Sequence, residues 1–250
     1  WAMAATMNNF VGDGNGYVGN PDLQPEVAHT LSATFDWHAA DRRWALRATP
    51  YVTQVTDFID AVRCTTALIP GSACPATSTA TNAFVVLQYA NQSARLVGVD
   101  LSGQMPLTEG GWGRWGLEGV VNVTDGENRD TGQGLYNIMP LNARLTLTHR
   151  QGGWDNAVEV VLVQAKDDLS EVRNEIRTAG YGLVNLRASH TWKQLRVDFG
   201  IDNLLDKLYA LPLGGAYVGQ GKTMSMNGVP WGTAVPGMGR SVYVAASYEF

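Results

Sequence analysis

The chain has 250 residues, a net charge of −5 and 16% charged side chains, against about 25% in ordinary soluble domains. It contains no run of about 18 apolar residues, so a transmembrane helix is excluded. It contains no basic block, which argues against nucleic acid as a partner.

Residues 1–27 carry Gly12, Gly14, Gly16, Gly19, Pro21 and Pro25 without periodicity and read as a loop. Gly14 to Gly19 matches a dinucleotide fingerprint as a string. No strand precedes it and Asn20-Pro21 follows where a helix would start, so that reading is rejected. The chain begins at Trp1 without a signal peptide, as either a mature or a truncated chain would.

From Thr30 onward the chain alternates. Leu31, Ala33, Phe35 and Trp37 share one parity; Thr30, Ser32, Thr34 and Asp36 share the other. Successive side chains of a strand point to opposite faces, so one face is apolar and one polar. A short turn over Ala39–Arg43 leads to Trp44, Leu46, Ala48, Pro50 and Val52, which alternate with Arg47, Thr49, Tyr51 and Thr53. A long connection over 61–83 precedes a strand from about Phe84 to Gln104. A turn over Met105–Arg114 leads to Trp115, Leu117, Val121 and Val123, then a polar loop over Asp125–Asn137.

The next strand carries Leu141, Ala143, Leu145 and Leu147. After the Gln151–Gly153 turn come Trp154, Val158, Val160 and Leu162, then a charged loop over Asp167–Thr178. Val184, Leu186, Ala188 and Trp192 follow, then a turn at Lys193-Gln194 and Leu195, Val197, Phe199 and Ile201. A Gly/Pro-rich stretch over 204–238 precedes the last strand, where Val242, Val244, Ala246, Tyr248 and Phe250 share one parity.

The expected fold is therefore all-β: a transmembrane antiparallel up-and-down barrel. Short turns alternate with long loops, as in outer-membrane barrels. Of the eight tryptophans, Trp37, Trp44, Trp112, Trp115, Trp154 and Trp192 lie beside the short turns, as an interfacial aromatic girdle would. Asp36, Arg47, Glu118, Arg144, Arg187, Arg196 and Asp198 fall on the polar parity. Near the bilayer midplane a lipid-facing charge costs about 2–4 kcal/mol, so these residues belong inside. His38, His149 and His190 also sit near the short turns and His29 near the long loops, with neither metal nor catalytic spacing. The sequons at Asn91 and Asn122 are assigned no role.

The pattern gives nine strands. Complete single-chain bacterial barrels have an even number, and a nine-stranded open sheet would leave two unpaired edges in lipid. The expectation is that residues 1–250 form the C-terminal part of a larger barrel, with early strands and a plug domain absent. Cys64 and Cys74 could close a loop with a disulfide, worth roughly 2–3 kcal/mol in the chain-entropy model; the alternative is a pair of unpaired thiols.

Gly19-Asn-Pro-Asp-Leu-Gln-Pro-Glu26 resembles the loop-to-strand signature of TonB-dependent receptors. Asp202-Asn-Leu-Leu-Asp-Lys-Leu-Tyr209 resembles the end of their penultimate strand. The closing strand, with Tyr248 and Phe250, resembles their insertion signal. The resemblance implies a barrel of about 22 strands, outer-membrane location, contact with lipid and lipopolysaccharide, and transport energised by TonB through the missing plug. It implies no catalysis and no resident cofactor.

Tyr89-Ala-Asn-Gln-Ser-Ala-Arg95, Leu135-Tyr-Asn-Ile-Met-Pro-Leu-Asn142 and Pro212-Leu-Gly-Gly-Ala-Tyr-Val-Gly219 resemble the copper-receptor branch, as do Pro230-Trp-Gly and Pro236-Gly-Met-Gly-Arg240. That implies a copper ion as the transported ligand. Met224 and Met226 are the soft-ligand pair within this chain; thioethers select Cu(I), although methionine also fills gaps in packing. The rival readings are a siderophore or cobalamin receptor, a passive porin, and an outer-membrane hydrolase.

Overall fold

A computed structural model describes residues 6–8, 16–64, 85–173, 175–215 and 233–249. Within them lie β1 (Thr6–Asn8), β2 (Gly16–Val18), β3 (Val27–Ser32), β4 (Phe35–His38), β5 (Ala45–Arg63), β6 (Val86–Gly110) and β7 (Gly113–Asn128). They are followed by β8 (Gln133–Gly134), β9 (Asn142–Gln151), β10 (Trp154–Val163), β11 (Tyr181–Trp192), β12 (Leu195–Asp202) and β13 (Ser241–Tyr248). A single turn of 3-10 helix covers Glu171–Arg173.

β3 and β4 are one wall strand interrupted by chemistry on its partner. Both pair with β5 in one register, Ser32 opposite Tyr51 and Phe35 opposite Ala48. Between them, the Ala33 amide donates to the Pro50 carbonyl at 3.2 Å. Pro50 has no N–H to return, so the ladder lapses for two residues. Counting β3 and β4 together, the antiparallel wall runs β3/β4–β5–β6–β7–β9–β10–β11–β12–β13, which is nine strands. That agrees with the alternation in the sequence.

Three expectations need correction. The glycine-rich start is not all loop: β1 pairs with β2, and β2 runs parallel to the start of β6, with Tyr17 opposite Leu87. A three-residue strand is too short to show a period. The turn expected over Met105–Arg114 is strand almost throughout; Gly111 and Trp112 alone separate β6 from β7. A register shift falls between Pro106, opposite Gly116, and Thr108, opposite Trp115, so a bulge lies beside the residue that lacks a donor. Finally, β6 runs on to Gly110, past the expected end at Gln104; Phe84, about where the strand was expected to begin, lies outside the described residues.

The wall has two unlike faces. One carries Leu31, Phe35, Trp37, Leu46, Leu145, Val158, Phe199, Val242 and Val244, all exposed. Exposed apolar surface on this scale marks an interaction surface. The other face is laced by ion pairs: Arg47–Asp36 at 3.0 Å, Arg144–Glu159 at 3.3 Å, Arg150–Asp155 at 3.3 Å and Arg196–Asp198 at 2.8 Å. On that face tyrosines lie across glycines of the next strand. Tyr51 is paired with Gly98 and Tyr243 with Gly200. A Cβ on Gly98 would sit 2.4 Å from Tyr51, and one on Gly200 would sit 2.0 Å from Tyr243.

The buried apolar side chains gather at the long-loop end instead of within the wall. Tyr17, Ala61, Leu87 and Tyr89 form one cluster; Val55, Ala94 and Leu135 form another. Among the described residues β3/β4 has only β5 beside it, and β13 only β12.

Candidate functional site: the long-loop mouth

β5 and β6 span 19 and 25 residues, where about 9–11 suffice to cross a bilayer. Part of the surplus lengthens the β6–β7 hairpin at the short-turn end; the rest, residues 58–63 of β5 paired with 87–92 of β6, continues on the long-loop side and becomes a scaffold. A bulge between Val55 and Phe58 redirects β5 there, with Asp57 at φ 55°. The Glu26 carboxylate accepts from the Ile59 amide at 2.7 Å, just beyond that bulge.

Asp60 follows, buried. The loop between β10 and β11 folds back onto it. Arg173 donates to Asp60 Oδ1 from Nη2 at 3.0 Å and from Nε at 3.3 Å, and to the Tyr17 hydroxyl from Nη1 at 3.2 Å. Its guanidinium also lies over the Tyr136 ring, 5.0 Å from the centroid. Asn128 donates to Asp60 Oδ2 at 3.1 Å and to Gln92 Oε1 at 2.7 Å. One arginine thus joins the β10–β11 loop, β5, β2 and the loop after β8. Burial alone would lower the Arg173 pKa; the neighbouring Tyr17 and Asp60 outweigh it and hold the pKa above its usual value.

A second buried pair lies in the same loop. Lys166 and Glu175 approach to 3.2 Å with side chains 2% and 8% exposed. Lys166 Nζ also donates to the Ile138 carbonyl at 2.6 Å. Glu175 accepts from the amides of Asn137 at 3.0 Å and Ser170 at 2.9 Å. Each charge has a partner and further hydrogen bonds, the condition for a buried pair to be tolerated.

The quoted sequence stretches turn out to be fasteners. In the first, Asn20 donates to the Tyr89 carbonyl at 3.2 Å and caps the Asp22 amide at 3.0 Å. Asn91 accepts from the Gln24 amide at 2.8 Å and donates to the carbonyls of Gln24 at 2.9 Å and Asp57 at 2.7 Å. Asn91, read in the sequence as an idle sequon, is therefore a clip between β6, the bulge and the entry to β3. In the second, Asn203 at φ 49° is buried and donates to the carbonyls of Lys207 at 2.9 Å and Met238 at 3.2 Å. Asp206 accepts from the Arg240 amide at 2.9 Å. These bonds draw together the two ends of the segment between β12 and β13. Of the Leu135–Asn142 stretch, Leu135 fills the Val55/Ala94 cluster and Tyr136 lies under Arg173.

The sequence-derived site residues fall into two groups. Trp37, Trp44, Trp112, Trp115, Trp154 and Trp192 all stand at the short-turn ends of their hairpins, the opposite rim. His149 lies 4.4 Å from the Trp115 ring, and His190 lies 4.6 Å from Trp154 and 3.9 Å from Trp192. Tyr248 is exposed on β13, opposite Leu195. Cys64 follows the end of β5 and is disulfide-bonded. Cys74, Met224, Met226 and Phe250 lie outside the described residues, as do most of 61–83 and much of 204–238. Among the described residues, no group of three His, Cys, Asp or Glu is placed to hold a metal. Sequence reasoning missed Asp60 and Arg173, which lie 113 positions apart. Asp60 lies near the end of β5 and Arg173 in a loop, and no alternation links the two.

The model of the family described as TonB dependent receptor-like, beta-barrel, matches residues 3–204. The chain belongs to the TonB-dependent receptor family. Among curated proteins it is 27% identical to the heme/hemopexin utilization protein C of Haemophilus influenzae (strain Rd) over 94% of this chain and 31% of that protein. Among solved structures it resembles the copper transporter OprC with a TM-score of 0.75 and 22% identity, over 92% of this chain and 32% of that one. It also resembles the ferric yersiniabactin uptake receptor FyuA of Yersinia pestis, with a TM-score of 0.61 and 17% identity over 90% and 30%. The chain spans about a third of the length of these relatives. TonB-dependent receptors are outer-membrane transporters rather than enzymes, and the apolar outer face with its ion-paired inner face is the barrel wall of that family.

Proposed function

We propose that the chain supplies the last nine wall strands of an outer-membrane receptor that captures copper outside the cell and imports it with energy from TonB. In this reading the missing strands close a barrel of about 22. The plug sits against the inner ion-paired face and carries the contact with TonB. The apolar face meets membrane lipid and lipopolysaccharide, the six tryptophans hold it at the interface, and Tyr248 with Phe250 serves insertion. Loops 61–83 and 204–238 shape the capture site, and Cys64 pairs with Cys74.

The observation that carries the copper reading is the mouth itself. The Tyr89–Arg95 and Leu135–Asn142 stretches, which resemble the copper-receptor branch, supply Asn91, Gln92, Leu135 and Tyr136 to the fastened scaffold. The likeness to a copper transporter at a TM-score of 0.75 supports it. Met224 and Met226 are the proposed soft ligands. In the full receptor, Met224→Ala with Met226→Ala should weaken Cu(I) binding at least tenfold by competition with a Cu(I) chelator, about 1.4 kcal/mol. Unchanged affinity would remove the methionine pair from the site.

A second reading, haem uptake, is favoured by the 27% identity to a heme/hemopexin utilization protein. Competition binding on the full receptor with copper, ferric chelates, haem and cobalamin separates these readings. Copper alone should bind; a haem absorption band at stoichiometric loading would reassign the substrate.

A further inference from the structure

A chain of polar side chains crosses the inner face from β9 to the base of the segment between β12 and β13. β12 ends at Asp202, whereas β11 runs on past it to Tyr181. Asn203 stands just beyond that end, and its amide donates to the side-chain Oδ1 of Asn185 at 2.9 Å. Both asparagines are buried, Asn185 at 7% and Asn203 at 2% exposure. Asn185 faces Glu159 across the β10–β11 pairing, and its Nδ2 donates to Glu159 Oε1 at 2.8 Å. The other oxygen of Glu159 lies 3.3 Å from Nε of Arg144 on β9.

The order of donors and acceptors along this chain is fixed by its middle member. A carboxylate can only accept, and the two ends of an asparagine amide are unlike. Glu159 therefore holds Nδ2 of Asn185 toward β10 and leaves Oδ1 turned toward Asn203. With its amide anchored, Asn203 accepts from the Lys207 amide at 2.8 Å and donates to the carbonyls of Lys207 and Met238. Lys207 lies on the outgoing end of the segment and Met238 on the returning end. Glu159 is bonded to neither end, yet the orientation of the asparagine that clasps them depends on it.

We infer that Glu159 is a positioning residue for ligand capture: acting through Asn185 and Asn203, it sets where the 204–238 segment leaves and rejoins the wall. The inference rests on the proposed part of that segment in the capture site. A buried polar network of this kind is rigid only while every member is satisfied, so a change on β10 is felt at the loop base.

The test uses the full receptor reconstituted in lipid. Glu159→Met keeps the length of the side chain but removes its acceptor, which leaves Nδ2 of Asn185 without a partner and the amide free to turn. The amides of Asn203 and Lys207 should then exchange about tenfold faster or more, while those of β10 and of β11 from Leu186 onward stay as protected as before. Glu159→Gln returns an acceptor and should return the protection. Arg150→Gln breaks a different inner-face ion pair, with Asp155, and should leave both amides as they were. Cu(I) affinity, measured by competition with a chelator, should fall about threefold in Glu159→Met and recover in Glu159→Gln. Unchanged exchange at Asn203 and Lys207 in Glu159→Met, or equal loosening in Arg150→Gln, overturns the role of Glu159. Faster exchange with unchanged Cu(I) affinity, or with no Cu(I) bound by the unaltered receptor, upholds the clasp and overturns instead the capture reading of the segment.

Discussion

Arg173 and Asp60 form a buried ion pair with further hydrogen bonds to Tyr17 and Asn128, and that makes them sensitive. Removing one member of a buried ion pair leaves the other charge unpaired, at about 3–5 kcal/mol. Arg173→Ala should therefore release the loop over 164–180, with faster amide exchange at Lys166 and Thr178, which now bond each other across that loop. Exchange in β9 and β10 should stay as it was. If the loop stays protected, the arginine is not what holds it. Asn91 offers a sharper residue test, since one amide group serves three backbone partners. Asn91→Asp keeps the acceptor but loses the Nδ2 donor, so the bulge at Asp57 should loosen in exchange while the Gln24 amide stays protected. None of these pairings was legible in the sequence. Hydrogen bonds between segments many positions apart leave no periodic trace, and Asn91 looked like a sequon because its neighbour is a glutamine followed by a serine.

Strands were the most legible elements because the solvent on the two faces differs. Leu31, Phe35 and Trp37 alternate with Ser32, Thr34 and Asp36 for a reason that acts on every residue, and the resulting wall has the nine strands that the alternation implies. What the alternation hid was interruption. Pro50 keeps the parity of Trp44 and Val52, so the pattern reads through it, yet it removes one ladder bond and splits β3 from β4. Pro50→Ala restores a donor opposite Ala33. The amide created at position 50 should exchange slowly and the strand should run unbroken from 27 to 38; the gain of about 0.5–1.5 kcal/mol for the bond is partly offset by a more flexible unfolded chain. A rapidly exchanging amide at that position would place the break elsewhere. Gly200→Val should do the reverse on β12, driving the Tyr243 ring off its glycine and away from Arg187, which now lies 5.6 Å from that ring. The β12–β13 pairing should weaken, seen as a lower temperature of heat-modifiable migration. An unchanged temperature would mean that Tyr243 finds another rotamer at no cost.

At the scale of the whole molecule the chain is a wall with a fastened top. Its apolar residues face out, its charges pair across the inner face, and its buried polar groups concentrate where the long loops meet the projecting β5–β6 hairpin. Among the described residues the nine wall strands follow from the alternation that identified them, so the fold class was readable from residues such as Val242 and Val244. The mouth was not, because its geometry depends on a handful of long-range contacts. The account as a whole depends on which face of the wall meets hydrocarbon. Spin labels placed one at a time at positions 241–246 of β13, in the full receptor reconstituted in lipid, measure this directly through their accessibility to oxygen and to a water-soluble nickel chelate. Labels at 242, 244 and 246 should be reached by oxygen and those at 241, 243 and 245 should not; the reverse pattern, or uniform access to the nickel chelate, would contradict the account.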